Sequence, residues 1–206
     1  MASAVIHLAV AKELEKYLKI ENKKDYNLGA IAPDIAQQLK IEKTKSHFIY
    51  NAKSDIPNIK LFKEKYKNFM SNSFELGYFT HLYTDKLWFD GFIDSLTYSN
   101  SIKLLDGTII HVPQKEIKEL IYNDYTNLNT IIIDKYNIDL SLFYEEYQKP
   151  NTSIEEVPID KLNILIDKMG VIIENSKLEK SYIFDITLID NFINTCVEKI
   201  IKELNI

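Results

Sequence analysis

The chain has 206 residues, 46% hydrophobic and 27% charged, an ordinary globular balance that excludes wholesale disorder. One cysteine, Cys196, excludes an internal disulfide framework and a Cys-rich zinc site. Every basic residue is lysine, and the net charge is −5, which argues against a duplex nucleic-acid surface and removes the bidentate guanidinium clamp for phosphate. Five Gly and five Pro are few for this length, so the composition leans helical rather than toward a sandwich or barrel. No apolar run approaches the ~20 residues of a membrane span. The apolar stretch 2–10 contains His7 and lacks a basic leader, which speaks against a signal peptide. A cytoplasmic, reducing location is the expectation.

In chain order, Ser3 can cap a first helix running to about Leu18. Val5, Ile6, Leu8, Leu14 and Leu18 form its apolar face. Lys23, Lys24 and Asp25 mark a solvated loop. Residues 27–36 read as a turn into a short buried helix with Pro33 in its first turn. A helix is expected over 57–69. Ser71 or Ser73 then caps a longer one to about Leu96, apolar around much of its circumference as a central buried helix would be. Asp106-Gly107 between apolar pairs signals a two-residue hairpin within 102–112. Helices follow near 114–135, 139–148, 158–175 and 185–205. The expected architecture is all-α, a single domain over 1–206 with a small β-hairpin excursion. The chemistry-bearing residues lie in 1–95, and 96–206 is a helical continuation.

Four histidines are present: His7, His47, His81 and His111. His81 and Asp85 stand at i and i+4, so one helix face carries an imidazole and a carboxylate. Alone, such a pair is usually a surface interaction. This pair falls inside the apolar stretch from Phe74 to Trp88, where an unpaired carboxylate would be costly. Asp34 sits among Ile31, Ala32, Pro33, Ile35 and Ala36. It reads either as a first-turn helix acid or as a ligand. His7 reads either as a hydrogen-bonded core histidine or as a ligand. One arrangement accounts for all of them: Asp34, His47, His81 and Asp85 around one metal ion, with His7 joining Asp85 at a second. Such nitrogen and oxygen donors suit zinc, and also iron or manganese. His111 reads as a loop or strand-edge residue, Lys45 and Lys86 as solvated, Asp185 as a helix cap, Asp190 as a surface acid and Cys196 as a buried small hydrophobe.

His7-Leu8-Ala9, Gly29-Ala30-Ile31-Ala32-Pro33-Asp34-Ile35, Ser46-His47-Phe48 and Leu76-Gly77-Tyr78 leading into His81-Leu82-Tyr83-Thr84-Asp85 occur in an order that resembles the zinc-dependent phospholipase C family. That all-helical fold is shared with certain single-strand-specific nucleases. The resemblance covers roughly residues 1–95. It implies that Asp34, His47, His81 and Asp85 hold one metal, that Asp85 and His7 reach a second, and that Asp34 holds or deprotonates the attacking water. The family's further ion needs two more histidines and a Glu beyond the His-x-x-x-Asp helix. Residues 86–206 offer only His111, so one or two ions are expected. The expected function is metal-dependent hydrolysis of phosphoric esters, on a phospholipid headgroup or a small phosphorylated molecule such as a nucleotide. The alternative is a non-catalytic, metal-stabilised helical binding protein. The oligomeric state is not legible.

Overall fold

The computed structural model describes residues 2–50 and 54–206. It is mostly helical with one small antiparallel sheet, as composition and periodicity require. Helix α1 (Ala4–Leu14) begins at Ser3, whose Oγ accepts the Ile6 N–H. It stops short of the expected Leu18, because the chain tightens into turns closing on the Leu14 carbonyl. The Lys23–Asp25 segment is the first turn of α2 (Lys23–Ile31), not a loop. Asn22 supplies the cap that the lysines obscured, its Oδ1 accepting the Asp25 N–H. A 3-10 turn over 32–34 carries Pro33 and Asp34 and leads into the short α3 (Ile35–Gln38).

Helix α4 (Ile59–Lys65) is shorter than the expected 57–69, and a separate 3-10 turn covers 69–71. Helix α5 (Ser73–Leu87) is the central helix, with every residue from Phe74 to Asp85 buried. Its cap is Asn72, not a serine. It does not continue to Leu96. The backbone leaves helical geometry at Asp90 and at Gly91, whose φ of +112° is a conformation that glycine alone adopts freely.

The excursion is a three-stranded antiparallel sheet, not a lone hairpin: β1 (Thr97–Tyr98), β2 (Ser101–Lys103) and β3 (Ile109–His111) in that order. Ile102 pairs with Ile110, and the expected two-residue loop is a three-residue one. The Gly107 N–H donates to Leu104, Leu104 N–H donates to Thr108, and Gly107 takes φ +86° as the bulge residue.

The expected 114–135 helix is two helices, α6 (Gln114–Thr126) and α7 (Asn129–Tyr136). The Asn- and Thr-rich junction is a poor helix former, and the Asn127 side chain is drawn to the Lys180 carbonyl. Over 139–148 only a 3-10 turn at 141–143 forms, since the Asp139 carboxylate captures the Ser141 N–H. Helices α8 (Leu162–Glu174) and α9 (Ile186–Leu204) lie close to expectation, α9 capped by Asp185.

Helices α2 and α5 touch backbone to backbone. A Cβ on Gly29 would stand 2.1 Å from the Phe74 carbonyl oxygen, and one on Gly77 would stand 2.0 Å from that of Tyr26. The α2/α5 pair is flanked by two aromatic clusters. Phe48, Phe62, Phe69, Tyr78 and Phe79 lie on one side of α5. Trp88, Phe92, Tyr125, Phe184 and Phe192 tie the end of α5 to the carboxy-terminal half. These aromatics fill the core, and the buried apolar cluster runs from Ala2 to Leu204. Cys196 is buried within it, as expected. Asp190 accepts from Tyr136 Oη at 2.8 Å and pairs with Lys135. No helix among the described residues is long and apolar enough to cross a membrane.

Candidate metal centre

The five residues singled out in the sequence converge. His7 comes from α1, Asp34 from the 3-10 turn after α2, His47 from the turn before α4, and His81 and Asp85 from adjacent turns of α5. All five are buried. The close α2/α5 contact sets the arrangement, since it brings the Ala30 carbonyl within 2.9 Å of His81 Nδ1. A carbonyl only accepts, so His81 carries its proton on Nδ1 and turns a bare Nε2 inward. His47 is oriented in the same way. Ser46 Oγ donates its hydrogen to the Lys43 carbonyl, so it can only accept from His47 Nδ1, 2.9 Å away. This also leaves Nε2 bare.

The two Nε2 atoms face each other at 3.3 Å. Two nitrogen lone pairs at that separation repel unless a cation or a proton lies between them. Carboxylate oxygens complete the surround. Asp34 Oδ1 is 3.4 Å from His47 Nε2 and 3.8 Å from His81 Nε2. Asp85 Oδ2 is 3.6 Å from each imidazole. A tetrahedral zinc with bonds of about 2.0–2.2 Å needs donor separations of about 3.3–3.6 Å. The observed nitrogen–nitrogen and nitrogen–oxygen separations of 3.3–3.8 Å fall close to those edges. Asp34 Oδ1 and Asp85 Oδ2 are buried and have no hydrogen-bond partner. Buried polar atoms without partners are costly in a native fold, and a metal satisfies these two at once. The donor set therefore fits a divalent metal.

The other side of Asp85 is occupied differently. Its Oδ1 accepts the Ala2 N–H at 3.0 Å and lies 3.4 Å from His7 Nε2. Asp85 thus faces His47 and His81 with one oxygen and His7 with the other, the disposition expected of a shared carboxylate. The His7 ring stacks on His81 with centroids 3.8 Å apart, and neither His7 nitrogen meets hydrogen-bond geometry. His111 lies in β3, exposed, with Nδ1 2.8 Å from Ser101 Oγ, and so keeps its strand-edge reading.

The electrostatics follow from crowding. Burial would raise the Asp85 carboxyl, but His7 and His81 outweigh it and hold the group well below its ordinary range. Asp34 is likewise held down against burial by His81 and His47. Burial pushes His7 and His47 down. His81 is raised despite burial, because Asp34 and Asp85 both face it.

A cavity of about 580 Å³ opens beside the cluster. Of the five residues, Asp34 alone lines it. Trp88, Phe89, Ile121 and Met169 make much of its wall apolar, and Tyr122, Tyr125 and Asn129 also border it. The sequence offered no motif for these wall residues, because α6, α7 and α8 carry ordinary amphipathic patterns. Lys45 is exposed and Lys86 packs over the Tyr83 ring. Neither lines the cavity. The lysines that do are Lys43 and Lys118, both on Asp55 at 2.8 and 3.0 Å. This pairing pushes the Asp55 carboxyl down to about 2. A depressed carboxyl stabilises the fold above its unfolded value and loses that contribution as pH falls through its folded value. Wild type should therefore lose more stability than Asp55→Asn between about pH 4 and 2, by a modest, salt-screened amount. Parallel melting curves for the two proteins over that range would contradict this.

Residues 6–88 match the family model described as zinc dependent phospholipase C. No curated protein and no solved structure gave a significant match. The matched segment contains all five buried donors, and those donors are able to hold the metal the family description names. Over this segment, which carries the buried histidine–aspartate cluster, the chain is similar to the zinc dependent phospholipase C family.

Proposed function

We propose that the protein is a zinc-dependent hydrolase of phosphoric esters. The supporting observation is the set of four inward donors, two of them imidazole nitrogens facing each other at 3.3 Å, at the edge of a 580 Å³ cavity. His47, His81, Asp34 and Asp85 would hold one zinc. His7 with Asp34 and His81 forms a second group of three buried donors, but two of these three belong to the first set, which makes the four-donor position the primary one. When bound, zinc supplies Lewis-acid activation of water and neutralises charge on phosphoryl oxygens.

The chain's own residues do the rest. Asp34 belongs to the cluster and lines the cavity, which supports a role in which its carboxylate would hold an attacking water or accept its proton. His81 and His47 are fixed in the required tautomer by Ala30 and Ser46. The apolar part of the wall would lower the local polarity and so strengthen the electrostatics beside Asp34. With no arginine in the chain, positive charge for the phosphoryl group must come from the metal or from lysine, and Lys43 and Lys118 are already engaged by Asp55.

The test combines metal content with turnover. Native mass spectrometry should find about one to two zinc equivalents, in keeping with a complete primary site and a sparser second one. A screen of phosphomonoesters and phosphodiesters should find a hydrolysed substrate. Asp34→Asn should abolish that turnover with the fold retained. Zinc bound firmly with no ester hydrolysed would overturn the hydrolase reading in favour of a metal-stabilised binding protein.

A further inference from the structure

The turn that carries His47 adopts a backbone conformation that its own residues do not favour. Phe48, the next residue, takes a φ of +53°, in the left-handed region that a bulky side chain rarely enters. Such a conformation persists only where the surrounding structure over-determines it. Within the turn, the His47 N–H donates to the Lys43 carbonyl at 2.9 Å and the Ile49 N–H to that of Thr44 at 2.8 Å. The Phe48 carbonyl accepts the Asn58 N–H at 3.0 Å, and the buried Phe48 ring meets Phe62 and Tyr78 edge-on. A further clamp comes from the central helix, where Tyr78 Oη donates to the Ser46 carbonyl.

Tyr78 is fully buried, and its ring stacks on Phe62 with centroids 5.8 Å apart, so the hydroxyl is held in place. It stands three residues before His81, on the same face of α5. One helix therefore presents both an imidazole of the cluster and the hydroxyl that grips the turn bearing the other imidazole. The grip falls on Ser46, whose Oγ orients His47 Nδ1. We propose that Tyr78 is a positioning residue of the metal centre. It fixes the His47 turn against α5 before metal arrives and so sets the 3.3 Å separation of the two Nε2 atoms. The inference rests on the zinc-site reading above. Its physical content is preorganisation: the strain at Phe48 is met when the chain folds, so metal binding need not order the turn. Tyr78 does not border the cavity, so it acts on the metal site and not on substrate.

Tyr78→Phe removes the hydroxyl alone. Tyr26→Phe is its control, since it removes another fully buried tyrosine hydroxyl from the α2/α5 pair, one that meets Thr80 Oγ1 at 3.3 Å rather than the turn. The full-length metal-free proteins are titrated with zinc against a chromophoric chelator, and exchange of the His47 and Ile49 amide hydrogens is followed by NMR. Tyr78→Phe should weaken zinc about tenfold, the lower end of the effect of groups that orient a metal ligand, because the hydroxyl acts through the Ser46 backbone. Both amides should exchange about tenfold faster in the metal-free variant, as a turn freed of one buried hydrogen bond opens more often. Tyr26→Phe should match wild type in both readouts. A merely structural hydroxyl would lower the melting temperature of each variant without separating them in zinc affinity or exchange, and that result would overturn the proposal. If Tyr78→Phe does not fold, wild type decides. The two amides should be as protected without zinc as with it, and protection that appears only after zinc is added would overturn the proposal. Zinc weakened in Tyr78→Phe alone, with no ester hydrolysed by wild type, would remove the hydrolase reading and keep this one. Equal zinc affinities in the two variants, with esters hydrolysed, would remove this one alone. A wild type that binds no zinc would remove both.

Discussion

Gly77→Ala should cost about 3 kcal/mol or more of folding stability, at the upper end of overpacking effects. Its new methyl would lie 2.0 Å from the Tyr26 carbonyl oxygen and 2.9 Å from the Ala30 nitrogen. The obstacle is backbone on both counts, so no rotamer change relieves it. Helices α2 and α5 must separate. Gly29→Ala meets the mirror problem at the Phe74 carbonyl and should behave alike. Separation would also pull the Ala30 carbonyl from His81 Nδ1, so zinc affinity should fall together with stability. Gly170→Ala is the control. Its methyl would meet Phe143 Cβ at 3.6 Å and the Phe143 carbonyl oxygen at 3.8 Å, both ordinary van der Waals contacts, and helix propensity favours alanine by up to about 1 kcal/mol. Urea unfolding of the three variants checks the prediction. A Gly77→Ala protein as stable as Gly170→Ala would refute the close-contact account.

The second large effect concerns the metal. Zinc at about one hundred times its dissociation constant should stabilise the fold by about 2.7 kcal/mol. For a chain of this size that is a rise of about 5–10 °C in melting temperature. Chelation should reverse it. His81→Ala should show no zinc-dependent rise and no ester turnover, because one of the two facing nitrogens is gone. Ser46→Ala leaves the ligands in place and frees only the His47 ring, so it should weaken zinc by about 10–100-fold.

Binding should also release protons. His81 is raised above its ordinary value of 6.5 because Asp34 and Asp85 face it, so in the metal-free protein it holds its second proton to higher pH than a free imidazole, and zinc must displace that proton. By itself, this raised histidine stabilises the metal-free fold below pH 6.5, and that contribution is lost as pH rises through its folded value. His7 and His47, both lowered, act in the opposite sense and cost stability as pH falls below 6.5. Zinc affinity should therefore climb with pH through the His81 titration. Calorimetry in buffers of different ionisation enthalpy counts the protons released. A pH-independent affinity, or a His81→Ala protein still stabilised by zinc, would contradict the assignment.

Much of the cluster was legible in the sequence, because misplaced polarity shows without coordinates. Asp34 among alanines and isoleucines, and His81 with Asp85 inside an apolar helix, had to find partners. The i, i+4 spacing put two of them on one face. Helix α5 was recognisable as central because its apolar residues cover much of its circumference. The boundaries were less legible. Asn22 and Asn72 cap α2 and α5, yet nearby lysines and serines gave competing local signals. Asp139 diverted an apparent helix into a 3-10 turn with one side-chain hydrogen bond. Gly29 and Gly77 stood in the motifs with no visible reason. Only the packed pair showed that each is needed where the other helix's backbone passes.

Composition and residue order by themselves determined a helical chain with buried histidines and aspartates in its first half, because burial and periodicity are local arithmetic. The tertiary structure alone decided which nitrogen of His47 and of His81 faces inward, since that depends on carbonyl and hydroxyl groups distant in sequence or set by a turn. It alone decided that α6, α7 and α8 wall the cavity beside Asp34, because amphipathic helices carry no label for which neighbour their faces will meet.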